Sequence, residues 1–215
     1  MARVELPATV IKALTSRDTS AAGQAANLTT INAYLSDKQK SDAGQPLTAA
    51  EADLLDPVKT PRIGYNLEAW DGYPMAREYL LDAAVRAFAG QRQLINLAGD
   101  THNAWHSDVT ASGLLAAQGG PAANAVVGVE FATPGVSSPG FEVYLKTAPE
   151  QTARTFVEGV TGVKWMNASE RGYLLLTISQ AEVQADWIFV GDVVKPSFTS
   201  RIAYSTKVFG GLVPV

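Results

Sequence analysis

Leu94-Ile-Asn-Leu-Ala-Gly-Asp-Thr-His-Asn-Ala-Trp-His106 is the most informative run in this chain. Its first five residues form an apolar segment too short for a helix, and it breaks at Gly99-Asp100, which reads as a buried strand opening into a loop. Just upstream, Pro74 suits the first turn of a helix, where its missing N–H costs no hydrogen bond. Leu81, Val85 and Phe88 then recur at helical spacing until Gly90 offers a left-handed stop. A helix followed by a buried strand is the unit of an α/β fold.

Downstream, Ala125, Val127, Val129 and Phe131 alternate with Val126, Gly128 and Glu130 and end at Thr133-Pro134-Gly135, a second strand placed parallel to the first or beside it. Its apolar face is expected beneath the helix of Leu81, Val85 and Phe88. The loop 134–140 is then expected beside Asp100, because loops after strand ends meet around a ligand. Residues 173–178 and 183–190 read as a hairpin turning at Ser179-Gln180-Ala181, with Val183, Ala185, Trp187 and Phe189 on one face. Ile202, Tyr204, Thr206 and Val208 add a further strand. Residues 15–62 are polar and broken by Gly44, Pro46, Pro57 and Pro61, so they read as a surface-lying connection with short helices, one starting at the capping-box spacing of Thr48 and Glu51.

With 215 residues, 47% of them hydrophobic, the chain has material for one good-sized domain over residues 1–215. Seventeen basic residues against 21 acidic give a net charge of -4, without the basic footprint of a nucleic-acid binder. The absence of cysteine excludes disulfides, thiolate metal sites and a cysteine nucleophile. No apolar run approaches the roughly 18 residues of a membrane span, and Met1 to Pro7 lead into no apolar segment of a secretory signal.

The two histidines, His102 and His106, both follow the first strand. An extended Asp100-Thr101-His102 would project its first and third side chains the same way, so a carboxylate and an imidazole would converge where α/β sheets collect ligands. That pair suits a transition-metal or mixed-metal site, with Gly99 easing the turn and Asp108 and Asn103 as outer partners. The same residues also read as Asp100 capping a turn, His102 as a polar loop residue and His106 as exposed. A metal centre usually takes three or four protein ligands, so the rest must come from elsewhere. Trp70-Asp71-Gly72-Tyr73 reads as two packing aromatics and a helix N-terminal charge, or as a substrate-side cluster in which Trp70 and Asp71 face the ligand. Arg171 reads as a surface guanidinium at the start of a strand, and Ser137-Ser138 lacks the glycine frame of a nucleophile elbow.

Five stretches carry a family likeness: Met1 to Pro7; Asn66 through Trp70-Asp-Gly-Tyr-Pro74; Gly99-Asp-Thr-His-Asn-Ala-Trp105; Val129-Glu-Phe-Ala-Thr-Pro134 with Ser138-Pro-Gly140; and Arg171-Gly-Tyr173 leading into Asp186-Trp187. In these the chain resembles the C-terminal half of the PhoD-like alkaline phosphatases. The resemblance implies an α/β metallophosphoesterase fold, an αββα sandwich with mixed sheets, of which the N-terminal half would be missing. It implies hydrolysis of phosphate monoesters or diesters, with Asp100 and His102 as metal ligands and catalytic residues and Asn103 as a donor to phosphate or to a ligand. Iron and calcium are the metals it implies, a phosphate ester the substrate, and a periplasmic or extracellular location. The expected partner is the missing N-terminal half or a second copy. Two competing readings are a noncatalytic fragment or subunit needing that half, and a carbohydrate-binding β-module using Trp70, Tyr73 and Trp105 as stacking surfaces.

Overall fold

Three sheets form among the residues described by the computed structural model, which are 3–88, 93–145, 148–197 and 199–209. Gly90, expected as a helix stop, and Met1-Ala2 of the N-terminal stretch lie outside them. Strands β1 (Glu5–Pro7) and β2 (Arg62–Gly64) make an antiparallel pair. Strands β3 (Leu94–Ala98), β4 (Ala104–Thr110), β5 (Val126–Ala132) and β6 (Val163–Asn167) form the central sheet in the order β3-β5-β4-β6. Only the β3–β5 pairing is parallel. Strands β7 (Gly172–Ile178), β8 (Glu182–Val190) and β9 (Ser200–Phe209) run antiparallel in sequence order, with the hairpin turning at residues 179–181 as expected.

Alternation along the strands sets the layers. Ala104, Val129 and Phe131 of the central sheet pack against Ala185, Trp187, Phe189 and Val208 of the three-stranded sheet. Trp187 is fully buried in this seam, its ring centroid 5.4 to 5.5 Å from those of Trp165, Phe131 and Tyr204, and its Nε1 donates to the carbonyl of Ala132 at 2.8 Å. On the other side, Val163 and Met166 of β6 join helices α1 (Ala8–Leu14), α2 (Ala21–Asp42) and α6 (Pro149–Gly159). The order is helix, sheet, sheet.

Helix α2 corrects the reading of residues 15–62 as a surface connection. It runs 22 residues from a Ser20 cap whose hydroxyl accepts from Gly23 N, and it buries Ile31, Tyr34 and Leu35. Those three are spaced i, i+3, i+4, a single helical stripe in an otherwise polar helix. Tyr34 donates its hydroxyl hydrogen to Gly159 O at 2.8 Å, and a Cβ on Gly159 would stand 3.1 Å from the Tyr34 ring, so glycine permits the close approach of α2 to α6. Helix α3 (Ala49–Leu55) does begin with the expected capping box at Thr48 and Glu51.

Helix α4 (Pro74–Phe88) starts at Pro74 as expected, but its packing differs from the sequence reading. Leu81 meets Val109, Ala111, Leu94 and Val127, whereas Val129 and Phe131 turn to the three-stranded sheet and Val85 is exposed. Strand β3 is likewise not buried: among the described residues it pairs only with β5, and Leu97 is 58% exposed. Trp70 and Tyr73, expected as packing residues, are exposed, as are Met75, Tyr79 and Leu80 of α4. The buried side of α4 instead carries Arg77 and Glu78. The Glu78 carboxylate accepts from Ser112 N at 2.7 Å and Gly113 N at 3.1 Å. Glu78→Gln, which removes the charge and one of these acceptors, is expected to cost about 2 kcal/mol, read as a lower urea midpoint. No helix among the described residues is long and apolar enough to cross a membrane.

Candidate metal centre

Because β3 and β5 are parallel with Ala98 opposite Ala132, the loops that follow them leave the same end of the central sheet. Thr133 N donates to Ala98 O at 3.0 Å, and Gly172 N reaches back to Gly135 O at 3.1 Å. The loop 134–140 therefore lies beside the 99–103 loop, as expected from the strand order.

Asp100-Thr101-His102 is not extended, contrary to the sequence expectation. Asp100 has φ 63° and His102 φ 58°, left-handed conformations that cost side-chain-bearing residues on the order of 1 kcal/mol or more each. The surroundings hold them there. Asn103, fully buried, donates from Nδ2 to Thr101 O at 2.5 Å and accepts through Oδ1 from Phe141 N at 3.1 Å, which clamps the loop to α5 (Phe141–Tyr144). His102 Nδ1 lies 3.0 Å from Pro139 O. A carbonyl only accepts, so in the neutral ring Nδ1 carries the proton and Nε2 keeps its lone pair. Nε2 is 3.9 Å from Asp100 Oδ1, whose carboxylate is fully exposed. The two side chains thus converge through a bent backbone rather than through strand alternation.

One imidazole lone pair and one unencumbered carboxylate fit a transition-metal cation in donor chemistry. Among the described residues no group of three or more His, Cys, Asp or Glu side chains is placed to hold a metal.

Other expected participants have contacts of their own. His106 is buried, not exposed: strand alternation turns it into the seam between sheets, where its ring lies beside Phe131 and Trp187 and Nδ1 is 3.0 Å from the Tyr204 hydroxyl. Asp108 is not an outer partner of the loop, since it pairs with Lys164 at 2.6 Å farther along β4. Asp71 accepts from Val4 N at 3.3 Å, and Trp70 stands on the same 3-10 turn, Trp70–Gly72. Ser137 is exposed in the loop. Arg171 is more buried than a surface guanidinium, with Nη2 2.5 Å from Glu142 Oε1 and Nη1 donating to Ser169 O. Nothing local in the sequence marks Glu142.

Two groups, the buried His106 and the half-buried Asp71, give opposed pH dependences. Burial pushes His106 down to about 4, so the folded state disfavours its proton. The stability linked to it is full above pH of about 6.5 and falls as pH drops toward 4, by up to about 3 kcal/mol. Burial pushes Asp71 up to about 6, so its linked stability is full below the ordinary carboxylate range and is lost as pH rises through about 6. Urea unfolding across this window should therefore show Asp71→Asn steepening the gain of stability with pH relative to wild type, and His106→Gln reversing it. Parallel curves for all three proteins would contradict both assignments.

A family model described as PhoD-like phosphatase matches residues 20–187. A solved structure described as "Structure of PhoD" superposes with a TM-score of 0.53 at 20% identity, over 71% of this chain and 26% of that chain. At that identity the likeness speaks for the fold alone, and the chain spans about a quarter of that protein. No curated protein matches the chain.

Proposed function

The chain belongs to the PhoD-like phosphatase family, and on that premise we propose that the 99–103 loop is one side of a phosphoesterase active site. The observation that carries this reading is the contact of His102 Nδ1 with Pro139 O, which leaves Nε2 free beside the Asp100 carboxylate. Asp100 and His102 would hold the cation, iron or calcium as the family implies. When bound, such a cation supplies charge neutralisation of the phosphoryl group and activation of water. The chain's own residues do the rest. Asp100 contributes the negative charge that retains the cation. His102 offers Nε2 as a ligand, a role the Pro139 contact favours over proton donation to the leaving oxygen. Asn103 braces the loop from inside, while Trp70 and Asp71 fall outside the proposed metal-holding pair.

The helix, sheet, sheet order supports reading residues 1–215 as the C-terminal part of an αββα sandwich, with the remaining helix layer and ligands supplied by further polypeptide. A second reading, a noncatalytic subunit that needs such a partner, is favoured by the edge of β3 that pairs with no strand among the described residues and by exposed Met75, Tyr79 and Leu80. A periplasmic or extracellular setting follows from the family reading.

Monoester and diester hydrolysis assays, run on the 215-residue protein and on a longer form, with elemental analysis of each, test the proposal. The short form is expected to turn over poorly and the longer form to be active and inhibited by chelators. Full activity from a metal-free 215-residue monomer would overturn it.

A further inference from the structure

The Pro139–Gly140 peptide touches the candidate centre on one side and a half-buried ion pair on the other. Its carbonyl lies 3.0 Å from His102 Nδ1, and its N–H donates to Glu142 Oε1 at 3.2 Å. The same carboxylate oxygen lies 2.5 Å from Arg171 Nη2. Both side chains of that ion pair are largely removed from solvent. The second oxygen, Glu142 Oε2, is buried and makes no hydrogen bond among the described residues. The approach is close as well: a Cβ on Gly140 would stand 2.8 Å from Glu142 Oε2 and 3.0 Å from His102 O, so only glycine lets the backbone pass between them.

We propose that Glu142 is a positioning residue for His102, acting through this single peptide group. It accepts the Gly140 N–H and so fixes the plane in which the Pro139 carbonyl presents its lone pairs. That carbonyl then holds the His102 ring in the Nδ1–H tautomer, with Nε2 toward Asp100. An anion on the N–H side of a peptide also strengthens the carbonyl as an acceptor, because the amide polarises as a unit. Arg171 orients the carboxylate and neutralises its charge in the half-buried setting. The arrangement is the one by which outer hydrogen-bond partners set the orientation of a metal-ligating histidine, and in that sense it deepens the phosphoesterase reading. Nothing in it requires that a metal be bound.

The chain's two histidines make the test direct. Long-range 1H–15N correlation on the metal-free, 15N-labelled 215-residue protein, at a pH where both rings are neutral, reports each tautomer, with His106 as internal control. Wild type should show His102 with a protonated Nδ1. Glu142→Gln is expected to shift His102 toward the Nε2–H form while leaving His106 unchanged, and Arg171→Lys should shift it less. Affinity for Mn2+ alone, read by water proton relaxation, should fall roughly tenfold in Glu142→Gln, as it does when outer partners of a ligating histidine are removed. A folded Glu142→Gln protein whose His102 tautomer equals that of wild type would overturn the proposal. Should Glu142→Gln fail to fold, an unchanged His102 tautomer in folded Arg171→Lys would overturn it as well. A shifted tautomer with no Mn2+ binding in either protein would support the positioning role while removing the metal reading on which the phosphoesterase site rests.

Discussion

Asp100→Asn is expected to abolish metal retention and nearly all phosphoester hydrolysis in an active, longer form of this protein, with the fold unchanged. The substitution keeps size and removes only the charge that neutralises a cation. Asp100 is fully exposed and among the described residues accepts no backbone hydrogen bond that would give it a structural duty, so loss of the carboxylate should leave the unfolding midpoint where it was. The fall in turnover should exceed the roughly 100-fold typical of losing an outer partner, because under the proposed function the variant loses a direct ligand. Metal analysis of the purified variant, a steady-state assay and a denaturation curve together check this. Wild-type metal content and activity would remove Asp100 from the site.

Trp187→Ala should show the largest loss of stability. The indole is fully buried where the central and three-stranded sheets meet, surrounded by His106, Phe131, Trp165 and Tyr204, and it donates to Ala132 O. Truncation leaves a large cavity and an unsatisfied carbonyl, for a cost of about 3–5 kcal/mol. Since Ala132 opens the 133–140 loop, the damage should also reach the Pro139 carbonyl beside His102. Trp187→Phe, which keeps most of the volume but lacks Nε1, should cost less and separate packing from the hydrogen bond. Urea unfolding of both variants is the check, and a Trp187→Ala midpoint equal to wild type would mean that the two sheets do not rely on this seam.

Much of this architecture is legible locally. Strand β3, helix α4 and the β7–β8 hairpin are punctuated by Pro74, Gly99 and Ser179 and carry a clear period of their own. Helix α2 is not legible in the same way, because Ile31, Tyr34 and Leu35 make one stripe in a run of Gln, Thr, Asn and Ser that is also good loop composition. Strand β4 hides for a different reason. It lies between β5 and β6, buried on both faces, so Ala104-Trp-His-Ser-Asp-Val-Thr110 shows no alternation of polar and apolar residues. That placement decides the fates of its residues: His106 goes into the seam and Asp108 to Lys164, while His102, just before the strand, stays at the loop. The candidate site divides along the same line. Asp100 and His102 lie two residues apart and are visible in the sequence as a pair. Pro139 and Glu142 come to them through the parallel β3–β5 register, which no local pattern reveals.

The central claim, that Asp100 and His102 together hold a cation, is tested most directly by adding Mn2+ to the 15N-labelled 215-residue protein and following the imidazole resonances of its two histidines. Paramagnetic broadening should erase His102 at Mn2+ concentrations that leave His106 sharp, and Asp100→Asn should abolish that selectivity. Equal broadening of both rings, or selective loss of His102 that persists in Asp100→Asn, would contradict it.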